Sequence, residues 1–306
     1  MTATHLKRIA GLVVILLALW GIARLLHHAG DHPETAFRIP VVSADSADTI
    51  IAAAGRETVT VVRTGPGRWT ANGFGAAPGA ITEFFSAFAT AGAPELVAQS
   101  PTSFARLGVD SAGAHRIRVA RGGKTLVDLF VSDHGPDYQS AFLRRPGDSA
   151  VYAVGGGFAA IGRRHLEDWR DRSIVAVAPD SVREIALERG AHRTVLTRRA
   201  HGWQFASGAP ADSGAVRALL EHWRSVTAAG FPTAAELDST FRHRAIRRAT
   251  LRSVTGVLAA LEFDSTSGSF WVRPAEGGGR DRVYRLASWD ADQLVPADST
   301  FKTRKR

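Results

Sequence analysis

The sequence predicts an α+β protein: two tandem repeats of a mostly antiparallel sheet with one packed helix each, preceded by a single N-terminal transmembrane helix. Three observations carry this expectation. One is an unbroken apolar run near the N-terminus. The second is an internal repeat with a period of about 130 residues, too long and too few in number for a solenoid. The third is that each repeat contains several period-2 segments and a single long helical-period segment.

From Ile9 to Ala23 the chain has no polar side chain, and Leu25 and Leu26 extend the run past Arg24, whose stem can snorkel. The stretch 9–26 is about the length a helix needs to cross a bilayer. His5, Lys7 and Arg8 precede it, which keeps residues 1–8 in the cytoplasm and places the bulk of the chain outside. An uncleaved anchor is preferred. A signal peptide cleaved after Ala23, with Gly21 and Ala23 as the small residues, is the competing reading.

Residues 27–47 mix charge, proline and small residues and are expected to be a linker. His27, His28, Asp31 and His32 are metal-ligand types, but no regular element would hold them in a fixed geometry.

The repeats are expected at 48–176 and 177–300. The segment from Asp48 lines up with that from Asp180: a strand, a Gly turn, an alternating strand, a second turn and a tryptophan, Trp69 or Trp203. These tryptophans are expected to cap the sheet against the helix. Ile81, Phe84, Phe85 and Phe88 then fall at helical spacing, as do Val216, Leu219, Leu220 and Trp223. After the helix, the segment from Arg116 parallels that from Arg248 as a strand pair around a Gly-containing turn. Two further strands follow in each copy, at Ser140 and Val151 and at Ser269 and Val283. Residues 301–306 read as a basic tail.

Composition bounds the chemistry. With no cysteine there is no disulfide, thiolate metal site, cysteine nucleophile or lipid attachment through cysteine. The net charge of +9 comes from 38 basic residues spread among 29 acidic ones along the whole length, so it reads mainly as solvated surface. The densest basic run, 241–252, lacks the interleaved aromatics of a single-strand binder and belongs to an exported domain, so no nucleic-acid partner is expected. Gly122, Gly123, Lys124 and Thr125 resemble the end of a phosphate-binding loop, but Arg118 stands where the leading glycine is needed, and a hairpin turn explains them. Gly155, Gly156 and Gly157 fail the dinucleotide pattern because Ala160 replaces the last glycine. Ser132, His134 and Asp137 are hydrolase residue types on an ordinary polar loop. With no HExxH and no GxSxG, no catalytic, cofactor or metal residue is assigned, and the chain is expected to be non-enzymatic.

The strand, arginine, turn and tryptophan from Arg63 to Trp69, the amphipathic helix, LGVD from Leu107, the strand pair, the VY strand and WRDR from Trp169 together resemble the bacterial family called domain of unknown function 4340. The likeness spans roughly 45–290, and Arg199 and Trp203 repeat the arginine, turn and tryptophan. The segment ELDSTFRHRA departs from LGVD in the second copy. The resemblance implies a membrane-anchored extracytoplasmic accessory component of a gliding-motility-type ABC transporter, whose partner would be the permease or its periplasmic subunit. It supplies no catalytic residues. A periplasmic ligand- or envelope-binding module using the groove between the repeats is the alternative.

Overall fold

The computed structural model describes residues 37–241, 245–277 and 279–303. The anchor at 9–26 and the His27, His28, Asp31 and His32 cluster lie outside them. Among the described residues no helix is long and apolar enough to cross a membrane, and no group of potential metal ligands occurs.

The first unit runs β1 (Thr49–Ala54), β2 (Glu57–Gly65), β3 (Arg68–Ala71), β4 (Phe74–Gly75), α1 (Pro78–Ala89), β5 (Glu95–Ala98), α2 (Phe104–Leu107), β6 (His115–Arg121), β7 (Lys124–Val131), β8 (Ser140–Arg144) and β9 (Val151–Gly155). Two short helices, α3 (Phe158–Gly162) and α4 (Leu166–Trp169), close it. After β10 (Ser173–Val175) come β11 (Glu184–Arg189), β12 (His192–Arg199), β13 (Gly202–Phe205), α5 (Ser213–Trp223), β14 (Val226–Thr227) and α6 (Ala234–Ser239). The second unit ends with β15 (Arg247–Arg252), β16 (Val257–Thr266), β17 (Ser269–Pro274), β18 (Tyr284–Ala287) and α7 (Ser288–Leu294).

The architecture is α+β with antiparallel sheets. The nine-stranded sheet has the order β4-β3-β2-β1-β6-β7-β8-β9-β5, and the seven-stranded sheet the order β13-β12-β11-β15-β16-β17-β18. From β3 to β9 the first order reproduces the second strand for strand, and in each unit the long helix follows the third strand of that set. Alternation builds both sheets: Ile50 and Ala52 of β1, Val59 and Val61 of β2 and Ile117 and Val119 of β6 all face one core. Against it α1 lays Ile81, Phe84, Phe85 and Phe88, and α5 does the same with Val216, Leu219, Leu220 and Trp223. Burying each such side chain contributes about 1.5–3 kcal/mol. Trp69 packs on Phe85 with ring centroids 5.9 Å apart, and Trp203 joins the second core, so both tryptophans seal sheet to helix as expected.

Three expectations need correction. Each unit packs a second short helix on the first, α3 against α1 and α7 against α5, because the chain leaving the last strand still carries apolar residues such as Phe158, Ile161, Ala291 and Leu294. The linker is not free over its second half: Phe37 is buried, stacks on Tyr152 at 4.3 Å and lies under the Arg145 guanidinium. The tail begins with a core residue, since Phe301 is completely buried. The segment ELDSTFRHRA, which departs from LGVD, places Phe241 under Arg273 at 4.1 Å as Phe104 lies under Arg144 at 4.1 Å, so it matches the residues just before LGVD.

Cross-strand ion pairs stud the outer sheet faces. Asp128 accepts from Arg116 at 2.9 and 2.8 Å and from Arg118 at 3.3 Å, while Glu262 accepts from Arg273 at 3.0 and 2.9 Å and pairs with Arg248. Burial pushes both carboxyls up, but the arginine bonds and charges outweigh it and hold both below their ordinary values of 3.8 and 4.5. A depressed folded-state value means stability that is present above the unfolded value and lost as pH falls through the folded one. The unfolding midpoint is therefore expected to hold until pH approaches 4.5 and to fall progressively below it. A pH series of melts, flattened in the Asp128→Asn, Glu262→Gln double variant, checks this.

Candidate functional site

An open groove of about 710 Å³ lies where the two units meet. Its floor is the start of α1 (Ala77, Gly79, Ala80), its wall the WRDR segment, and its far lip Thr227 of β14. Backbone pairing sets this geometry. The Ala77 N–H donates to the Trp169 carbonyl at 2.8 Å and the Asp171 N–H to the Gly75 carbonyl at 2.8 Å, which lays WRDR along the entry to α1. Immediately downstream β10 pairs with β14, and the Ala228 N–H donates to the Arg172 carbonyl at 2.8 Å, tying the same segment to the second unit.

Trp169 anchors the wall. It is completely buried, its ring lies 5.4 Å from Phe84, and its indole N–H has no acceptor. Arg164 passes over this ring, donates to the Ala80 carbonyl at 2.6 Å and pairs with Glu83. Arg163 donates to the Ala159 carbonyl at 3.2 Å.

Arg170 is the unusual member. Only 6% of it is exposed, and its guanidinium is clasped between Phe74 of the first unit at 3.7 Å and Phe231 of the second at 3.6 Å. Among the described residues it has no hydrogen bond to its guanidinium and no ion pair. Burial lowers it to about 10, an effect that the nearby Tyr284, Glu167 and Asp281 only partly oppose. Phe231 is in turn placed by the Gly230–Arg285 bridge and by Tyr284, whose ring is 6.0 Å away.

The second unit repeats the backbone pairing of this exit. There the Asp212 N–H donates to the Phe301 carbonyl at 2.9 Å, Ala211 bridges to Lys302, and Lys302 pairs with Asp298 at 2.9 Å. Trp169-Arg170 thus corresponds to Phe301-Lys302. The helix entries differ: Asp212 caps α5 by accepting from the Gly214 and Ala215 N–H groups at 2.8 and 3.0 Å, whereas Ala77 leaves α1 with no side-chain cap.

The residues weighed from sequence lie elsewhere. The Ser132 hydroxyl donates to the His134 carbonyl at 2.5 Å and accepts from the Phe142 N–H at 2.8 Å, while Asp137 accepts from the Gln139 N–H. These are loop bonds, and they bring no imidazole to Ser132. Nearby, His115 pairs with Asp133 at 2.7 Å. Gly122 and Gly123 adopt φ of 56° and 77° in the β6–β7 turn, where the Gly122 N–H donates to Asp48, so they make a hairpin and not a phosphate loop. In the basic run, residues 242–244 lie outside the described residues. Arg247 pairs with Asp292 at 2.7 Å, Arg248 with Glu262 and Arg252 with Glu184 at 3.9 Å, so those arginines are neutralised within the fold. Sequence reasoning quoted WRDR only as a scaffold feature. The signal it lacked was the position of Phe74 and Phe231, each remote from Arg170 in the chain.

A family model described as Domain of unknown function (DUF4340) matches residues 69–242, more than half of the chain, and every residue lining the groove falls within it. No curated protein and no solved structure matches significantly.

Proposed function

The chain belongs to the DUF4340 family, and from that premise we propose that it is a membrane-anchored extracytoplasmic accessory component of an ABC-type, gliding-motility-like transport system, non-enzymatic, working through the groove between its two units. The observation that carries the groove into this reading is Arg170, a buried cation without a carboxylate partner at the junction. A fold rarely keeps such a group for stability alone, since apolar replacements of buried charges are often neutral or better. The apolar run at 9–26 with its preceding basic residues supports the placement, and the family resemblance supports the transporter partner. The groove lining holds arginines, carboxylates, Ser173 and Thr227 but no histidine, which suits binding rather than acid–base work.

Affinity purification of the full-length chain from its native membrane in mild detergent, with mass spectrometry, tests the proposal. An ABC ATPase and a permease are expected at near-stoichiometric amounts. Recovery of the chain alone, above all if shortened after Ala23, overturns it. The same Arg170 observation favours a second reading, a periplasmic ligand- or envelope-binding module that needs no transporter.

A further inference from the structure

We propose that one end of the second unit docks onto an anionic bilayer surface, the tip of the β15–β16 hairpin entering the apolar boundary while an arginine-lined cleft beside it holds lipid phosphates. This goes beyond the accessory reading and does not need the transporter.

The tip carries three exposed apolar side chains: Val254 is 84% exposed, Val257 46% and Leu258 38%. They stand clear of the sheet. Pairing with β11 ends at Arg252 and pairing with β17 ends at Leu261, so residues 253–258 project past both flanking strands. A register shift sets Leu251 opposite Ala259 and Arg252 opposite Val257, which leaves Leu258 as the extra residue of a bulge. The turn itself is ordered. The Ser253 N–H donates to the Gly256 carbonyl at 2.8 Å, and the Thr255 N–H donates to the Ser253 hydroxyl at 3.1 Å. The fold thus holds a cluster of aliphatic side chains in water, at a cost that burial in a partner removes. The first unit puts Arg121, Gly122, Gly123 and Lys124 at the equivalent turn and ties it back, with the Gly122 N–H donating to Asp48 at 2.7 Å and Arg121 to the Asp45 carbonyl at 3.3 Å. The apolar tip is therefore a property of the second copy and not of the fold.

Charge selects the partner. At the base of the hairpin the Arg183 N–H donates to the Arg252 carbonyl at 2.7 Å and the Arg198 N–H to the Arg183 carbonyl at 2.9 Å, which gathers these arginines at one end of the sheet. A cleft of about 360 Å³ opens there, and Arg198, Trp203, Ser213, Arg217 and Arg224 line it. Arg224 is held by Glu221 at 2.8 and 3.0 Å, and Arg252 lies 3.9 Å from Glu184. Arg183 and Arg198 donate only to backbone carbonyls, and among the described residues Arg199 and Arg217 have no hydrogen bond or ion pair. These four arginines are exposed, and the carboxylates left to oppose them are Asp180 and, past the end of β17, Glu276. The first unit again differs: α1 carries Thr82 and Ala89 where α5 carries Arg217 and Arg224. A soluble anion would use the cleft and leave the tip in water. A bilayer uses both, because its apolar boundary lies directly beneath a layer of anionic headgroups.

The chain has no cysteine, so Thr255→Cys gives a single site for an environment-sensitive nitrobenzoxadiazole label at this tip, and Lys124→Cys labels the equivalent tip of the first unit. The full-length chain is reconstituted into nanodiscs of phosphatidylcholine, alone or mixed with phosphatidylglycerol, with and without lipids that carry a nitroxide high on the acyl chain. With phosphatidylglycerol, a blue shift and nitroxide quenching of the label at 255 are expected, and both should weaken as salt rises. Phosphatidylcholine alone should give neither, and the label at 124 should stay in water in both lipids. Arg198→Gln combined with Arg217→Gln should lower the ratio of docked to undocked chain about thirtyfold, and Val254→Ser combined with Val257→Ser should abolish the quenching. A label at 255 that stays in water in both lipids overturns the proposal, as does equal quenching at the two tips or quenching indifferent to the arginine pair. A label at 255 shielded only when a protein partner is bound also overturns it, and assigns the tip to that protein. Incorporation into nanodiscs reports the anchor separately: for a chain that does not incorporate, the same comparisons on vesicles of the same lipids decide the docking.

Discussion

Arg170→Ala is expected to split the unfolding of this chain into two transitions and to cost about 2–4 kcal/mol at the junction. The guanidinium lies over Phe74 at 3.7 Å and Phe231 at 3.6 Å, so one side chain bridges the two units, and a desolvated cation on an aromatic face contributes about 2 kcal/mol or more per ring. Truncation removes both contacts and leaves a void between two rings. What remains across the boundary includes the β10–β14 pair, the Ala228–Arg172 backbone hydrogen bond and the approach of β4 to the turn Arg280–Arg282. Calorimetry reads the result directly. A single transition at the wild-type temperature would show that these backbone contacts couple the units without Arg170, and the side chain would then be held there for the groove alone.

Phe84→Ala should be the most destabilising single truncation in the first unit, at about 3–5 kcal/mol. Phe84 is completely buried and its ring meets Phe85 at 5.2 Å, Phe88 at 5.4 Å and Trp169 at 5.4 Å. A cavity there cannot collapse easily, because the sheet on one side and α4 on the other are fixed by hydrogen bonds. It also loosens Trp169, the residue that places Arg170. Chemical denaturation gives the magnitude, and the accompanying red shift of tryptophan emission reports the exposed indole. A loss below about 1 kcal/mol would mean that the aromatic cluster repacks, contrary to the packing density of such cores.

Most of the scaffold was legible because it is local. Alternation of Ile50 and Ala52, the stripe Ile81, Phe84, Phe85 and Phe88, and the paired tryptophans each follow from periods of 2 and 3.6 within short windows. The repeat compounds that signal: two weak matches to one pattern specify a strand order better than either does. The second helices are not legible because α3 spans only five residues and α7 seven, too short for a helical period to show. Phe37 and Phe301 were assigned to a linker and a tail because their neighbours are polar, and one buried aromatic in a polar stretch has no periodicity.

The groove was not legible. The expectation of a cleft between the repeats followed from having two of them, but its chemistry did not. Arg170 in WRDR looks from sequence like any solvated arginine beside two aspartates. Its burial is decided by Phe74 on one unit and Phe231 on the other, and its lack of a partner by carboxylates that are spent on Arg164 and on backbone N–H groups. The sequence by itself determined the α+β class, the order of the main strands and the long helix in each repeat and the family, since these depend on short-range patterning and on similarity along the chain. Tertiary structure alone decided which charges are paired and where the two units clasp one side chain, because desolvation and pairing depend on groups that the chain brings together only on folding.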